Sequence, residues 1–220
     1  RQSTRTRVTG ETFHPRPSRI PAPLPMGSGA DQSTMTQCTL LTLNLRGARK
    51  PGTMARLIHA FQRMGDTHGL SVLCAQEHNL DPATAPELTR LATSKNMTLN
   101  VGFAPPTPDG VHRGGTFILS NNKTLTHKKT ILQSKDLTIC ELDWGGETQQ
   151  GGRTLRIASV YAPVKPLARV NFFQTIHHHL TDETIVGGDW NCVTDVTTDV
   201  ISSNPVANRN IGHALLAQRL

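Results

Sequence analysis

The chain reads as an α/β protein, a β-sheet assembly with helices on its outer faces. Short, dense apolar runs of strand length recur along it, and in the first half they alternate with segments of helical period. Further on, the apolar runs follow one another directly, as they do where sheet strands are consecutive. Cys38–Leu43 is the first expected strand. Pro51-Gly52 then opens a helix reaching about Met64, with Met54, Leu57, Ile58 and Phe61 on one face. Leu70–Ala75 reads as a buried strand, and Asp81-Pro82 introduces a second helix over roughly Ala85–Lys95. Four strands follow, at Leu99–Ala104, Thr116–Ser120, Lys128–Gln133 and Leu137–Asp143. After a turn over Trp144–Gly152 come the strand Thr154–Tyr161, a helix from Pro166 to about Leu180 and a strand at Thr184–Gly187. Ala207–Leu220 has helical period again.

Length and composition bound the reading. The 220 residues fit one ordinary domain, and nine aromatic residues suffice for one core if part of the chain stays outside it. Residues 1–36 are the part expected outside: five prolines and five arginines stand there against two acids, with few bulky apolar groups. Such a segment buries too little surface to offset its ordering entropy and is expected to be a disordered linker, with a domain over 37–220. It supplies +3 of the net charge of +7, leaving +4 for the rest. The basic balance favours a polyanionic partner, because each neutralised phosphate releases a condensed counterion. Four cysteines, Cys38, Cys74, Cys140 and Cys192, lie in or beside apolar runs without any paired spacing. Buried thiols in a reducing compartment are expected, and a structural zinc site is not. No apolar stretch approaches the length of a membrane span, and the first residues lack the apolar middle of a signal peptide. Both ends look excised from something longer.

Four of the strands stop abruptly at a side chain competent to meet a metal ion or a phosphate. Leu40–Leu43 ends at Asn44, Val72–Ala75 at Gln76-Glu77, Ile157–Val160 at Tyr161, and Ile185–Gly188 at Asp189, with Asn191 two residues on. If these ends lie together, Asn44, Glu77, Tyr161, Asp189 and Asn191 converge on one rim. Two carboxylates with amide oxygens make a hard oxygen site suited to Mg²⁺ or Mn²⁺. Such an ion polarises a phosphodiester while Asp189 activates water, and Asn191 and Tyr161 offer donors to the phosphate. Gly187-Gly188 lets backbone approach closely where the carboxylate is presented. Taken singly, an asparagine or aspartate after a strand is more often a turn residue, and a lone glutamate a solvated one. The combination carries the reading.

Asn44-Leu45-Arg46-Gly47, Gln76-Glu77, Arg113-Gly114-Gly115-Thr116, Val160-Tyr161-Ala162-Pro163 and Gly188-Asp189-Trp190-Asn191 occur in that order. The series resembles the exonuclease–endonuclease–phosphatase superfamily, most closely the apurinic-endonuclease-like domains of non-LTR (LINE-type) retrotransposons. It spans about Gln37–Val193. The resemblance implies a four-layer α/β sandwich, two mixed sheets face to face with helices outside. It also implies roles: Glu77 binds a divalent metal (Mg²⁺ or Mn²⁺) with Asn44 supporting it, and Asp189 orients or deprotonates water. Asn191 and Tyr161 contact the phosphate, and Arg46 and Arg113 bind substrate. Apurinic repair enzymes carry an acid where this chain has Arg46, which favours the retroelement type. The implied activity is nicking of target DNA to prime reverse transcription, with a downstream reverse transcriptase as fusion partner and the nucleus as the place of cleavage.

The resemblance is incomplete at its far end. Family members go on to a Ser-Arg-Ile-Asp-like and a Ser-Asp-His-like segment, and neither follows Asn191, so the last strands are expected to be missing. His213 and His177-His178-His179 are not substitutes for the absent histidine; the triplet is expected at a solvated helix end. Two other readings stay open, a degenerate nucleic-acid-binding domain and a phosphatase or lipid phosphodiesterase of the same superfamily. Pro105–Gly114 and Gly145–Gly152 are the loops expected to read target shape.

Overall fold

The computed structural model describes residues 38–123, 125–144 and 153–192. The expected linker, the 145–152 loop and the helix expected over Ala207–Leu220 fall outside them. The chain divides into two units, Arg1–Met35 and Thr36–Leu220, and all described residues belong to the second.

Among the described residues there are eight strands in two four-stranded sheets. The first contains β1 (Thr39–Asn44), β2 (Leu70–Gln76), β3 (Met97–Gly102) and β4 (Thr116–Asn121), in the order β1-β2-β4-β3. The second runs β5 (Leu125–Gln133), β6 (Leu137–Trp144), β7 (Arg153–Tyr161), β8 (Thr184–Asp189). Both sheets are mixed. β1–β2 and β7–β8 are parallel, and every other pair is antiparallel.

Residue alternation builds the layers, because successive strand side chains point to opposite faces. Val72, Cys74 and Ile118 of the first sheet meet Leu125, Cys140, Leu142, Leu155 and Ile157 of the second in one buried cluster. Leu73, Ala75, Phe117 and Leu119 face the other way, onto α1 (Thr53–His68) and α2 (Ala85–Ser94). On the far side, Leu137, Ile139, Ala158 and Val160 pack against Phe173 and Ile176 of α3 (Pro166–Ile176). The result is the expected four-layer order, helix–sheet–sheet–helix. Gly187 lets the sheets close: a Cβ there would lie 3.2 Å from both Cys74 and Leu40.

Boundaries moved where apolar period carries no information. α1 runs a full turn past Met64, through polar Gly65–His68, and stops at Gly69. That residue sits at φ 66°, and its N–H caps the carbonyls of Met64 and Gly65. β3 starts two residues earlier than expected and ends at Gly102. α3 ends at Ile176 rather than near Leu180. His178 and His179 donate to the carbonyls of Thr175 and Ile176 in a tightened turn, so the histidine triplet follows the helix. Asp81 caps the 3-10 turn Pro82–Thr84 that leads into α2, its carboxylate accepting from Ala83 N–H at 2.8 Å. Of the cysteines, Cys74 and Cys140 are buried, whereas Cys38 and Cys192 are partly exposed; none is in a disulfide. Among the described residues no helix is long and apolar enough to cross a membrane.

Candidate active site

The two parallel pairs bring the strand ends together. Asn44 is in register with Gln76 across β1–β2, and Tyr161 with Asp189 across β7–β8. All four strands therefore end at the same edge of the sandwich, and one hydrogen bond joins the sheets there: Asn44 Nδ2 donates to Asp189 Oδ2 at 2.6 Å. Beneath it the core turns polar. Gln76 Nε2 donates to Ser159 Oγ at 3.1 Å, and Ser159 donates to the Ala75 carbonyl.

Asp189 is held twice, because its Oδ1 also accepts the Asn191 backbone N–H at 2.9 Å. Each oxygen keeps a second lone pair for a water or an ion. Asn44 is used at both ends of its amide, its Oδ1 accepting Arg46 N–H at 2.9 Å. Asn191, at φ 48°, spends one of its amide N–H groups on the Ala162 carbonyl at 2.7 Å. Its side chain also bonds to the Tyr161 hydroxyl, so the two groups expected to meet phosphate stand against each other.

Glu77 stands in a left-handed turn at φ 56°, just past β2. The turn is gripped from both sides. Gly47 N–H donates to Glu77 O on one side, and Glu77 N–H donates to Gly115 O on the other, both at 2.8 Å. Underneath lies His78, fully buried, with Nδ1 accepting Leu80 N–H at 3.0 Å and Nε2 therefore donating to the Gly102 carbonyl at 3.0 Å. Burial holds this imidazole neutral, pushing its pKa down to about 4 against the opposing pull of the Gly102 carbonyl. Gly115, at φ 95°, is required by that ring: a Cβ there would lie 2.2 Å from His78 Nε2.

Glu77 and Tyr161 line a cavity of about 580 Å³ together with Arg46, Gly47, Arg49, Lys50, Asn79, Arg113 and Gly114. Burial raises the Tyr161 hydroxyl above its ordinary pKa, and the charges of Glu77, Asp189 and Asp136 raise it further, opposed by the Asn191 side chain. The phenol thus stays protonated and is a hydrogen-bond donor at neutral pH. Asp136 is a newcomer. Its carbonyl accepts Tyr161 N–H at 2.9 Å, and burial raises its carboxyl pKa against the pull of Lys135. Arg113 is exposed and pairs with Asp109 at 3.4 Å.

The structure therefore brings all seven expected residues, Asn44, Arg46, Glu77, Arg113, Tyr161, Asp189 and Asn191, to one end of the sandwich. Strand-end reasoning missed Arg49, Lys50 and Asn79 in the cavity wall and Asp136 near Tyr161. Three bases within six residues of Asn44 (Arg46, Arg49 and Lys50) were the available signal for the first two. Among the described residues no three His, Cys, Asp or Glu side chains stand close enough to hold a metal by themselves. The donors on hand, the Glu77 carboxylate and amide oxygens, fit a hard ion that keeps waters and takes phosphate oxygens as its remaining ligands.

No family model and no curated protein matches this chain. Among solved structures, an AP endonuclease from Archaeoglobus fulgidus superposes with a TM-score of 0.56 at 14% identity, over 83% of this chain and 70% of that one. An endonuclease/exonuclease/phosphatase family protein from Leptotrichia buccalis gives 0.47 at 15% identity, over 82% and 73%. The AP endonuclease LMAP from Leishmania major gives 0.46 at 14%, over 80% and 62%. At such identities the first of these likenesses speaks for the fold alone: the two mixed sheets form an α/β sandwich similar to that of the Archaeoglobus fulgidus AP endonuclease.

Proposed function

We propose that this chain is a divalent-metal-dependent phosphodiesterase that nicks DNA. The observation that carries it is the Asn44–Asp189 hydrogen bond joining the two sheets beside a cavity that places Glu77 and Tyr161 among four bases. Glu77, with Asn44, is the place for Mg²⁺ or Mn²⁺, which would neutralise phosphate charge and stabilise the oxygen that leaves. Asp189, held by Asn44 and Asn191, orients a water and takes its proton as the water oxygen bonds to phosphorus. The protonated Tyr161, bonded to the Asn191 side chain, and Asn191 itself contact the phosphate oxygens. Arg46, Lys50 and Arg113 face the flanking phosphates.

The retroelement role is the finer part of the proposal, supported by the Asn44-Leu45-Arg46-Gly47 form of the first motif. Priming requires a 3′-hydroxyl, so the bond from phosphorus to the 3′ oxygen must be the one that breaks. A fused reverse transcriptase and action in the nucleus go with that role. One observation favours the reading as a binding module: the cavity wall offers one carboxylate and no imidazole. Supercoiled plasmid incubated with the chain and Mg²⁺ or Mn²⁺ separates the readings. Nicks that a DNA polymerase extends without end repair support the endonuclease. Salt-sensitive binding without nicks supports the binding module, and release of phosphate from a phosphoinositide instead would move the chain to the phosphatases.

A further inference from the structure

Arg49 belongs to none of the motifs, yet it bonds to two separate parts of the site. Its Nε–H donates to the Asn79 carbonyl at 2.8 Å, and its Nη2 donates to the His112 carbonyl. Asn79 stands two residues after Glu77, itself at φ 55°. It is sewn to Gly114 by its own N–H, at 2.8 Å, and by its Oδ1, which accepts Gly114 N–H at 2.6 Å. His112 directly precedes Arg113. It closes a small hairpin through a bridge to Pro106, with its ring bonded to the Ala104 carbonyl at 2.6 Å. Within that hairpin Thr107 N–H donates to Val111 O, and Gly110 N–H to Thr107 O. One guanidinium thus spans the turn that carries Glu77 and the hairpin that carries Arg113.

We propose that Arg49 is a positioning residue, a brace that fixes Glu77 and Arg113 relative to each other across the cavity. The inference rests on reading the cavity as a phosphodiester-cleaving site. A guanidinium suits the task because its fork reaches two acceptors at once, whereas an ammonium is a single mobile point. Both acceptors are neutral carbonyls, so the positive charge of Arg49 is retained and adds to the field of the cavity. Holding metal-side and phosphate-side groups at fixed separation matters because small misplacements of reacting groups are costly in rate.

The test compares the 220-residue chain with its Arg49→Lys and Arg49→Ala variants. A brace predicts that both lose about 10- to 100-fold in nicking rate at saturating DNA. The salt slope of DNA affinity stays unchanged in Arg49→Lys. Amide exchange at Asn79, Thr107, Gly110 and Gly114 speeds up together in both variants, while β2 and β6 stay protected. A wild-type rate in Arg49→Lys overturns the proposal. So does a salt slope shallower by about one in Arg49→Ala with its rate unchanged, the mark of a direct phosphate contact. If the unmodified chain nicks no DNA, the phosphodiesterase reading fails separately and exchange alone decides. Concerted loosening of the two segments then keeps the brace, and unchanged exchange or loosening of one segment removes it.

Discussion

Asp189 meets any substrate with both carboxylate oxygens already engaged, Oδ2 by the Asn44 amide and Oδ1 by the Asn191 backbone. Removing the first partner in Asn44→Ala is therefore expected to slow single-turnover nicking by roughly 10- to 100-fold while leaving DNA affinity unchanged. A rate within about twofold of the original would take Asn44 out of the site. His78 gives a second, independent expectation. Its pKa falls from the ordinary 6.5 to about 4 on folding, so the folded chain resists its protonation. The stability this contributes is complete above about pH 6.5 and is withdrawn as acid carries the pH down towards 4, by roughly 3 kcal/mol. Urea unfolding at pH 7 and pH 4.5 measures it, and a His78→Gln variant should lack that part of the pH slope. The key residues were legible to unequal degrees. Asn44, Glu77, Tyr161 and Asp189 stood out because each interrupts an apolar run. Asn79 and Asp136 act through main-chain carbonyls and turn geometry, which no pattern of side-chain types encodes, and the bases near Asn44 mark the charge of Arg49 but not its two carbonyl partners.

The elements that present the site are strand ends rather than helix faces, and their precision comes from packing just outside the ladder. Gly115 shows how tight it is: position 115 combines φ 95° with the His78 ring in the space of a Cβ. Gly115→Ala should cost about 2–5 kcal/mol of stability, from overpacking and backbone strain together, read as a lowered urea midpoint. A change below about 0.5 kcal/mol would mean that His78 can move aside. Apolar runs located every strand among the described residues, because β2 and β4 are buried along their whole length and β3 at all but one residue, and β6 and β7 carry buried stretches within them. β5 was the harder case, an edge strand with two irregularities and exposed lysines, whose first three residues lay outside the expected range. Helix ends were displaced where the last turn is polar, as in α1, or where the carbonyls find a tighter turn, as after α3.

At the scale of the molecule, two sheets and three α-helices among the described residues put every expected site residue at one end, and the bases there are what the proposed function matches to a polyanion. Arg46, Lys50 and Arg113 line the cavity beside the bracing Arg49. Three phosphate contacts predict a slope of about −2.7 in log affinity against log salt, roughly a 40-fold loss of DNA binding between 50 and 200 mM. A flat salt response would remove the polyanion from the account. The layered sandwich itself was legible through the ordered motifs, whereas the pairing order β1-β2-β4-β3 was not, since contacts far apart in sequence decide it. Glu77 and Asp189 are proposed to cut a phosphodiester together, and plasmid nicking by Glu77→Gln and Asp189→Asn beside the unmodified chain, with Mg²⁺ or with chelator, tests this directly. Metal-dependent nicking by the unmodified chain is expected, with a loss of at least about 1,000-fold in each variant and with DNA binding and thermal unfolding retained. Nicking that survives in either variant, or that persists in chelator, would contradict it.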